Sequence, residues 1–143
     1  MLALGNENSN SKEEKHEDGV LQYENECGND LNVFDIDCLK GITKLEIGND
    51  CFMNITRFVI DGLNELRILI IGKKSFKLDK NSRTGSKCVI MNCDQLGEMK
   101  FGKWSFCWYE TLELKNLRSI RSVKLCPWVF RYCHRIVFDS MND

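Results

Sequence analysis

Short segments of alternating apolar and polar residues recur along the chain, and each is followed by a turn and a phenylalanine. The segment at 66–76 reads LRILIIGKKSF, and similar segments lie at 42–52, 96–106 and 120–130. Alternation with a period of two indicates β-strands, because successive side chains of a strand point to opposite faces. The pattern therefore predicts several short strands that end in turns of the same kind.

The repeated segments keep a common register. Equivalent positions are spaced by 24, 30, 24 and 24 residues, and the long spacing predicts a loop insert at 79–87. The aligned positions are the starts Leu39, Leu63, Cys93, Leu117 and Met141; the apolar pairs Leu45/Ile47, Leu69/Ile71, Met99/Phe101 and Val123/Leu125; the turns Gly48, Gly72, Gly102 and Cys126; and Phe52, Phe76, Phe106 and Phe130.

One 24-residue turn of chain has almost no interior, so it buries apolar side chains only by stacking on a similar turn. The sequence therefore predicts a β-rich repeat solenoid over residues 19–143, with short parallel strands in about four 24-residue turns plus a partial N-terminal coil. The phenylalanines are expected to form one row inside the stack, and the glycines are expected at corners where a Cβ would be in the way.

Two segments resemble a known repeat family. FVIDGLNELRILIIG (58–72) and CVIMNCDQLGEMKFG (88–102) are similar to leucine-rich repeats of the form LxLxx(N/C)xxLxxLxI. The turns IGKKSF and FGKWSF resemble those of the irregular, BspA-like repeats found in protists and bacteria. The resemblance implies a horseshoe with a strand sheet on one side. It also implies a protein-binding scaffold, adhesin or module of a larger chain, without a shared active site.

Charge is distributed unevenly along a chain whose net charge is −1. Residues 1–30 carry eight acids against two lysines, which predicts an acidic, disordered lead-in at 1–18. The start has neither a basic segment nor a long apolar core, and the chain has no apolar run of about 20 residues that would span a membrane. We therefore expect a cytoplasmic protein whose eight cysteines are thiols.

Candidate catalytic and metal-binding residues are few. Several cysteines occupy apolar columns of the repeat, so they are expected to be buried as small hydrophobic residues. Cys126, Cys133 and His134 are the strongest metal candidates, but their spacing lacks the short Cys-x2-Cys pair. The only imidazoles are His16 and His134, and no phosphate-binding loop is present. The sequence predicts no enzyme, no cofactor and no metal site.

Two sets of outward positions are the candidate contacts with a protein partner. A second apolar pair follows each turn phenylalanine and predicts a second set of strands: Phe58/Ile60, Cys88/Ile90, Leu112/Leu114 and Ile136/Phe138. Three valines, Val59, Val89 and Val137, share one outward column of this second set, although ordinary β-propensity also favours valine there. Trp104 is expected to stack on Trp128 and Trp108 on Tyr132, about 5 Å apart like neighbouring strands. These aromatic residues are typical of a protein-contact patch, or of a cover for the corner of the last coil.

The function predicted from these features is non-enzymatic protein–protein recognition through a leucine-rich-repeat surface. One alternative is a structural fragment or end-piece of a longer repeat array that self-associates through its open ends. A further alternative is weak contact with nucleic acid or phosphate through the basic loop at 73–87, although nucleic acid is not the partner that the overall charge favours.

Overall fold

The computed structural model describes the backbone of residues 14–141, with side chains described for 18–141 apart from Cys38. The described chain is almost entirely strands and turns. Its elements are β1 (Glu14–Glu17), β2 (Val20–Tyr23), a 3-10 helix (Ile36–Leu39), β3 (Lys44–Ile47), β4 (Arg57–Asp61), β5 (Ile68–Ile71), β6 (Lys87–Met91), β7 (Glu98–Phe101), β8 (Thr111–Leu117), β9 (Ser122–Leu125) and β10 (Arg135–Met141).

The strands form two sheets along one stack of coils. The six-stranded sheet has the order β1-β2-β3-β5-β7-β9, and the four-stranded sheet has the order β10-β8-β6-β4. Every pair is parallel except β1 with β2, and the parallel strands pair in the register of the repeat. The predicted β-solenoid is confirmed, with about five stacked turns of about 24 residues.

The turn phenylalanines form one row through the interior. The ring centroids of Phe52 and Phe76 are 5.4 Å apart, those of Phe76 and Phe106 are 4.7 Å apart, and those of Phe106 and Phe130 are 5.2 Å apart, all in stacked orientations. Their backbone φ angles are all positive, between 51° and 55°. The predicted row is therefore confirmed, and the repeated turn places every ring in the same way.

Glycine is required at the corners because neighbouring coils approach closely there. A Cβ on Gly72 would lie 2.2 Å from the carbonyl oxygen of Gly48, and one on Gly102 would lie 2.7 Å from the amide nitrogen of Lys73. Neither glycine has a left-handed φ. The glycines therefore make room for the backbone of the preceding coil, while the residues two and four positions after them adopt the left-handed conformation.

Polar side chains link the coils beside the phenylalanine row. The Cys51 backbone N–H donates to Ser75 Oγ at 2.9 Å, and Ser75 Oγ donates to the Gly48 carbonyl at 2.6 Å. Asn49 likewise receives a hydrogen bond from the backbone of the next coil, at Lys73, with a distance of 2.8 Å. These bonds satisfy backbone groups at the corner, which the strands themselves leave unpaired.

The two ends of the stack differ. The first coil has β2 in the six-stranded sheet but only the 3-10 helix where the four-stranded sheet would continue. β1 adds an antiparallel strand outside β2, and it lies within the segment that the sequence assigned to a lead-in. Residues 1–13 lie outside the described residues, so for them the lead-in stays a prediction.

Apolar side chains of the last coil face solvent at the other end. Their exposed fractions are 37–58%, whereas the residues one coil earlier in the same columns are 0–2% exposed. The exposed residues are Val123, Leu125, Ile136 and Phe138, and their inner equivalents are Met99, Phe101, Leu112 and Leu114. We call the four exposed residues the C-terminal face. They have the chemistry of the solenoid interior but lack a following coil among the described residues.

Candidate functional site

Four aromatic side chains stack in pairs on the corner of the last two coils. The ring centroids of Trp104 and Trp128 are 5.4 Å apart with planes 19° apart, and those of Trp108 and Tyr132 are 3.9 Å apart with planes 20° apart. The predicted stacking is confirmed. We call these four residues the aromatic corner.

The turn geometry of the repeat holds the rings of the corner outside the core. Trp104 and Trp128 have φ angles of 68° and 70°, in the left-handed region, at the position two residues after the corner. Trp104 is half-buried and Trp128 is exposed, whereas the turn phenylalanines two residues later, which also have a positive φ, fill the interior. The backbone N–H of Trp108 donates to Lys77 at 3.2 Å, and that of Tyr132 donates to Cys107 at 3.0 Å. Hydrogen bonds between coils thus fix the spacing of the stacked rings.

Two guanidinium groups flank the aromatic corner. The Arg131 guanidinium carbon lies 5.3 Å from the ring centroid of Trp128 and 5.1 Å from that of Tyr132. The Arg83 guanidinium lies 5.6 Å from the ring centroid of Trp108. All three distances are within the range of cation–π attraction. The corner therefore combines flat apolar rings with positive charge.

The basic insert is attached to the solenoid at the corner. Arg83 Nε donates to the Trp108 carbonyl at 3.0 Å, and Arg83 also bonds the Tyr132 carbonyl. Ser86 is buried and its hydroxyl accepts a hydrogen bond from the Glu110 N–H at 2.8 Å. The charge of Arg83 is thus directed onto the aromatic corner, which leaves the lysines of the 73–87 segment as the more accessible bases.

Accessibility decreases from the last coil inward. Trp128 is 47% exposed and Tyr132 is 38% exposed, while Trp104 and Trp108 are half-buried beneath them. The outer pair therefore offers contact area to a partner, and the inner pair supports it. Whether these residues bind a partner stays a prediction.

The valine column on the four-stranded sheet is less accessible than the aromatic corner. Val59, Val89 and Val137 share one column, and Glu113 interrupts it with an ion pair to Lys115 at 3.1 Å. Val89 is only 5% exposed, and Val59 and Val137 are half-buried. A partner would therefore touch the outer two valines more than Val89. Their role in binding also stays a prediction.

The cysteine side chains lie mainly in the interior. The seven cysteines whose side chains are described are free thiols, and five of them are buried. Burial raises the pKa of Cys51, Cys93, Cys107 and Cys133, and raises that of Cys88 well above its usual range. A thiol with a raised pKa is a poor nucleophile near neutral pH, because little thiolate is present.

The metal candidates do not converge on one another. His134 Nε2 lies 3.3 Å from Arg83 Nη1, so a cation bound at this imidazole would face a guanidinium. Cys133 Sγ hydrogen-bonds the Glu110 carbonyl at 3.3 Å. Within residues 18–141, leaving Cys38 aside, no group of three or more His, Cys, Asp or Glu side chains is arranged to hold a metal ion.

A groove runs along the glycine column, and it was not predicted from the sequence. The groove has a volume of about 770 Å³, and Gly48, Gly72 and Gly102 form part of its floor. Acids from the first two coils and lysines from the middle coils line it, namely Glu24, Glu26, Glu46, Lys73 and Lys100. Three aligned glycines without side chains were the available signal for this groove.

No helix in the described part of the chain has the length and apolar character needed to cross a membrane. Comparison of the chain with protein-family models, with curated proteins and with solved structures finds no match in any of the three.

Proposed function

We propose that this chain is a non-enzymatic recognition module that binds a partner protein through the aromatic corner, on an irregular repeat scaffold of the leucine-rich, BspA-like type. The observation that carries this proposal is the double stack of Trp104 on Trp128 and Trp108 on Tyr132, flanked by Arg131 and Arg83. Tryptophan, tyrosine and arginine are the residues most enriched at the energetic centres of protein interfaces.

The arrangement of the corner favours binding over mere covering of the core. Phe106 and Phe130 already fill the interior of these turns, and their exposed fractions are 0% and 7%. Trp108 packs against the core cluster, whereas Trp104, Trp128 and Tyr132 are not among the side chains that pack against it. Because the rings are held in stacks by the backbone, they lose little conformational freedom when a partner binds.

The chemistry of the corner indicates the kind of partner. Flat rings favour an apolar or aromatic anchor, and Arg131 beside Trp128 and Tyr132 favours a carboxylate next to that anchor. We therefore expect a partner segment in which an apolar side chain lies beside an acidic one. The buried, weakly acidic thiols support a non-enzymatic role, and free thiols in apolar columns agree with a reducing compartment such as the cytoplasm.

The test compares capture by three forms of the intact chain. The corner variant is Trp128→Ala/Tyr132→Ala, and the control is Ile70→Ala, which truncates a half-buried apolar residue on the six-stranded sheet. Proteins that are enriched by the wild type and the control but lost with the corner variant would be candidates for the partner. Unchanged folding is checked by circular dichroism.

A purified candidate then gives the quantitative result. If each ring contributes about 1–2 kcal/mol at the centre of the interface, the double variant should weaken binding by roughly 30-fold or more. The control should bind within about twofold of the wild type. Equal capture by the wild type and the corner variant would overturn the proposed role of the corner.

A further inference from the structure

Charges around the groove on the glycine column are sorted by sign. The strand register gives five equivalent segments at this corner, one from each coil, at 22–26, 46–50, 70–74, 100–104 and 124–128. The first two segments carry four acids and no base, and the last three carry five bases and no acid. The acids are Glu24, Glu26, Glu46 and Asp50, and the bases are Lys73, Lys74, Lys100, Lys103 and Lys124. The corner therefore has an acidic half and a basic half.

The groove extends over both halves, because three of these acids and two of these lysines line it. At the acidic end, Glu46 pairs with Lys44 of its own strand at 3.5 Å. At the basic end, no ion pair joins Lys73 or Lys100 to a carboxylate among the side chains described for residues 18–141. The positive charge of the basic half is therefore available to a bound acidic group.

The length of the groove fits a short extended peptide. Its lining comes from all five coils, and neighbouring strands lie about 4.8 Å apart, so the groove is about 19 Å long. An extended chain rises about 3.3 Å per residue, and about six residues therefore cover this length. Glu46 and Lys100 share one outward column two coils apart, about 10 Å along the stack, with Ile70 between them. A base and an acid two to four residues apart in the peptide would match these two positions.

Two asparagines in the groove lining have donors for the backbone of a peptide. Asn25 Oδ1 accepts the Asn49 backbone N–H at 2.8 Å, and Asn49 Oδ1 accepts the Lys73 backbone N–H at 2.8 Å. These bonds fix which end of each amide faces the neighbouring coil. The Nδ2 groups of both asparagines make no hydrogen bond within the described part of the chain. They can therefore donate to main-chain carbonyls of a bound segment.

We propose that the groove binds an extended peptide segment of a partner protein, with a basic side chain toward the first coils and an acidic side chain toward the last coils. The base faces Glu24 and Glu46, and the acid faces Lys73 and Lys100. A segment with charges of one sign is repelled by one half of the groove, so the order of charges supplies the specificity. None of the four rings of the aromatic corner lines the groove, and the proposal does not depend on a partner for that corner.

A second copy of the chain fits the groove less well than a peptide does. Two copies related by a two-fold axis across this corner would also oppose acids to bases. Both surfaces are concave there, so the contact would leave two grooves of about 770 Å³ each unfilled. The core of a specific interface is packed as densely as a protein interior, and a peptide can fill the groove with its own side chains.

Selection from a display library of random ten-residue peptides, on the immobilised intact chain, provides the first test. We expect the enriched peptides to carry a base and an acid two to four residues apart. They should not be enriched on the groove variant, Lys73→Glu/Lys100→Glu, in which both altered side chains are exposed. Enrichment of peptides without this pair of charges, or no enrichment at all, would overturn the proposal.

Fluorescence anisotropy with one labelled synthetic peptide from this selection measures the size of the effect. The groove variant should bind the peptide at least tenfold more weakly at about 0.05 M salt, and the difference should shrink at about 0.5 M salt. The matched control, Lys40→Glu/Lys80→Glu, makes the same change in net charge at exposed positions outside the groove. The control and the corner variant, Trp128→Ala/Tyr132→Ala, should both bind within about twofold of the wild type. If the corner variant loses the peptide and the groove variant keeps it, the groove is not the binding site.

A second peptide separates loss of charge complementarity from loss of structure. Both halves of the groove are acidic in the groove variant, so the selected peptide with its acid replaced by lysine should bind this variant more tightly than it binds the wild type. Absence of this gain in a variant that circular dichroism shows to be native would contradict the proposal. Sedimentation velocity tests the second copy as the occupant: a wild-type dimer that the groove variant abolishes and the peptide does not displace would also overturn it.

Discussion

Replacement of Phe76 tests how the solenoid interior is held together. Its ring is fully buried in the middle of the row and stacks on Phe52 at 5.4 Å and on Phe106 at 4.7 Å. Truncating a buried phenylalanine to alanine lowers the free energy of unfolding by about 3–5 kcal/mol. Because two stacked pairs are lost with the ring, we expect Phe76→Ala to lower the free energy of unfolding by about 5 kcal/mol, at the upper end of this range.

The backbone at Phe76 makes glycine the better truncation. Its φ is 55°, and a left-handed conformation costs an L-residue about 1–2 kcal/mol, while glycine adopts it freely. The greater freedom of glycine in the unfolded chain offsets about 0.5–1 kcal/mol of that gain. We therefore expect Phe76→Gly to be more stable than Phe76→Ala by about 0.5–1 kcal/mol. Gly28 already occupies the equivalent position in the first coil, with φ of 73°.

Phe58 is the matched control. It is also fully buried, and it lies in β4 without a positive φ. Glycine in a strand is less stable than alanine by about 0.5–1 kcal/mol. The order of the two truncations should therefore reverse between the two positions, with alanine better at Phe58 and glycine better at Phe76.

Urea unfolding followed by circular dichroism measures the four free energies of unfolding. Trimethylamine N-oxide at one fixed concentration keeps the weakened variants folded, because this osmolyte favours the compact state. If alanine is the better truncation at both positions, or if Phe76→Ala costs less than about 2 kcal/mol, the turn geometry or the stacking argument is wrong.

Two further predictions concern the glycine column and the buried thiol of Cys88. Gly72→Ala should lower the free energy of unfolding by more than about 2 kcal/mol, because the new Cβ would lie 2.2 Å from the Gly48 carbonyl oxygen. The control is Gly97→Ala, whose Cβ would meet the exposed Arg121 side chain, and it should change the free energy of unfolding by less than about 1 kcal/mol. Similar urea midpoints for the two variants would contradict the close approach of the coils. Burial raises the pKa of the Cys88 thiol well above its ordinary value of 9.0, so the thiol loses its proton at a lower pH in the unfolded chain than in the folded one. The contribution of this thiol to the free energy of unfolding should therefore be complete below pH 9.0 and should decrease as the pH rises above 9.0. Cys88→Val should show a shallower decline in urea midpoint between neutral and alkaline pH, and identical declines would show that this thiol is not responsible.

The repeat register was readable from the sequence because stacking in a solenoid joins equivalent positions of adjacent coils. Phe52, Phe76, Phe106 and Phe130 recur at fixed spacing, so the same turn places each ring over the previous one. The same reasoning predicted the stacked pairs of the aromatic corner. The 30-residue spacing also predicted an insert, which the structure places between β5 and β6.

Contacts between positions that are not equivalent in the repeat were not predictable in this way. Arg83 lies 49 residues from Tyr132 and 51 from His134, and no periodicity relates these positions. β1 pairs antiparallel with β2, against the parallel rule of the rest of the chain. The low exposure of Val89 likewise depends on surrounding side chains rather than on its place in an alternating segment.

The amino-acid sequence alone thus determined the coil, its period, the strands and the residues that form the interior row. These follow from local alternation and from the need of each turn to bury its apolar side chains against the next. The tertiary structure decided how the two ends differ, which aromatic rings remain exposed and why the corner requires glycine. Those features depend on distances between separate coils, such as the close approach that would leave a Cβ on Gly72 only 2.2 Å from the Gly48 carbonyl oxygen, and a linear pattern of residue types does not contain such distances.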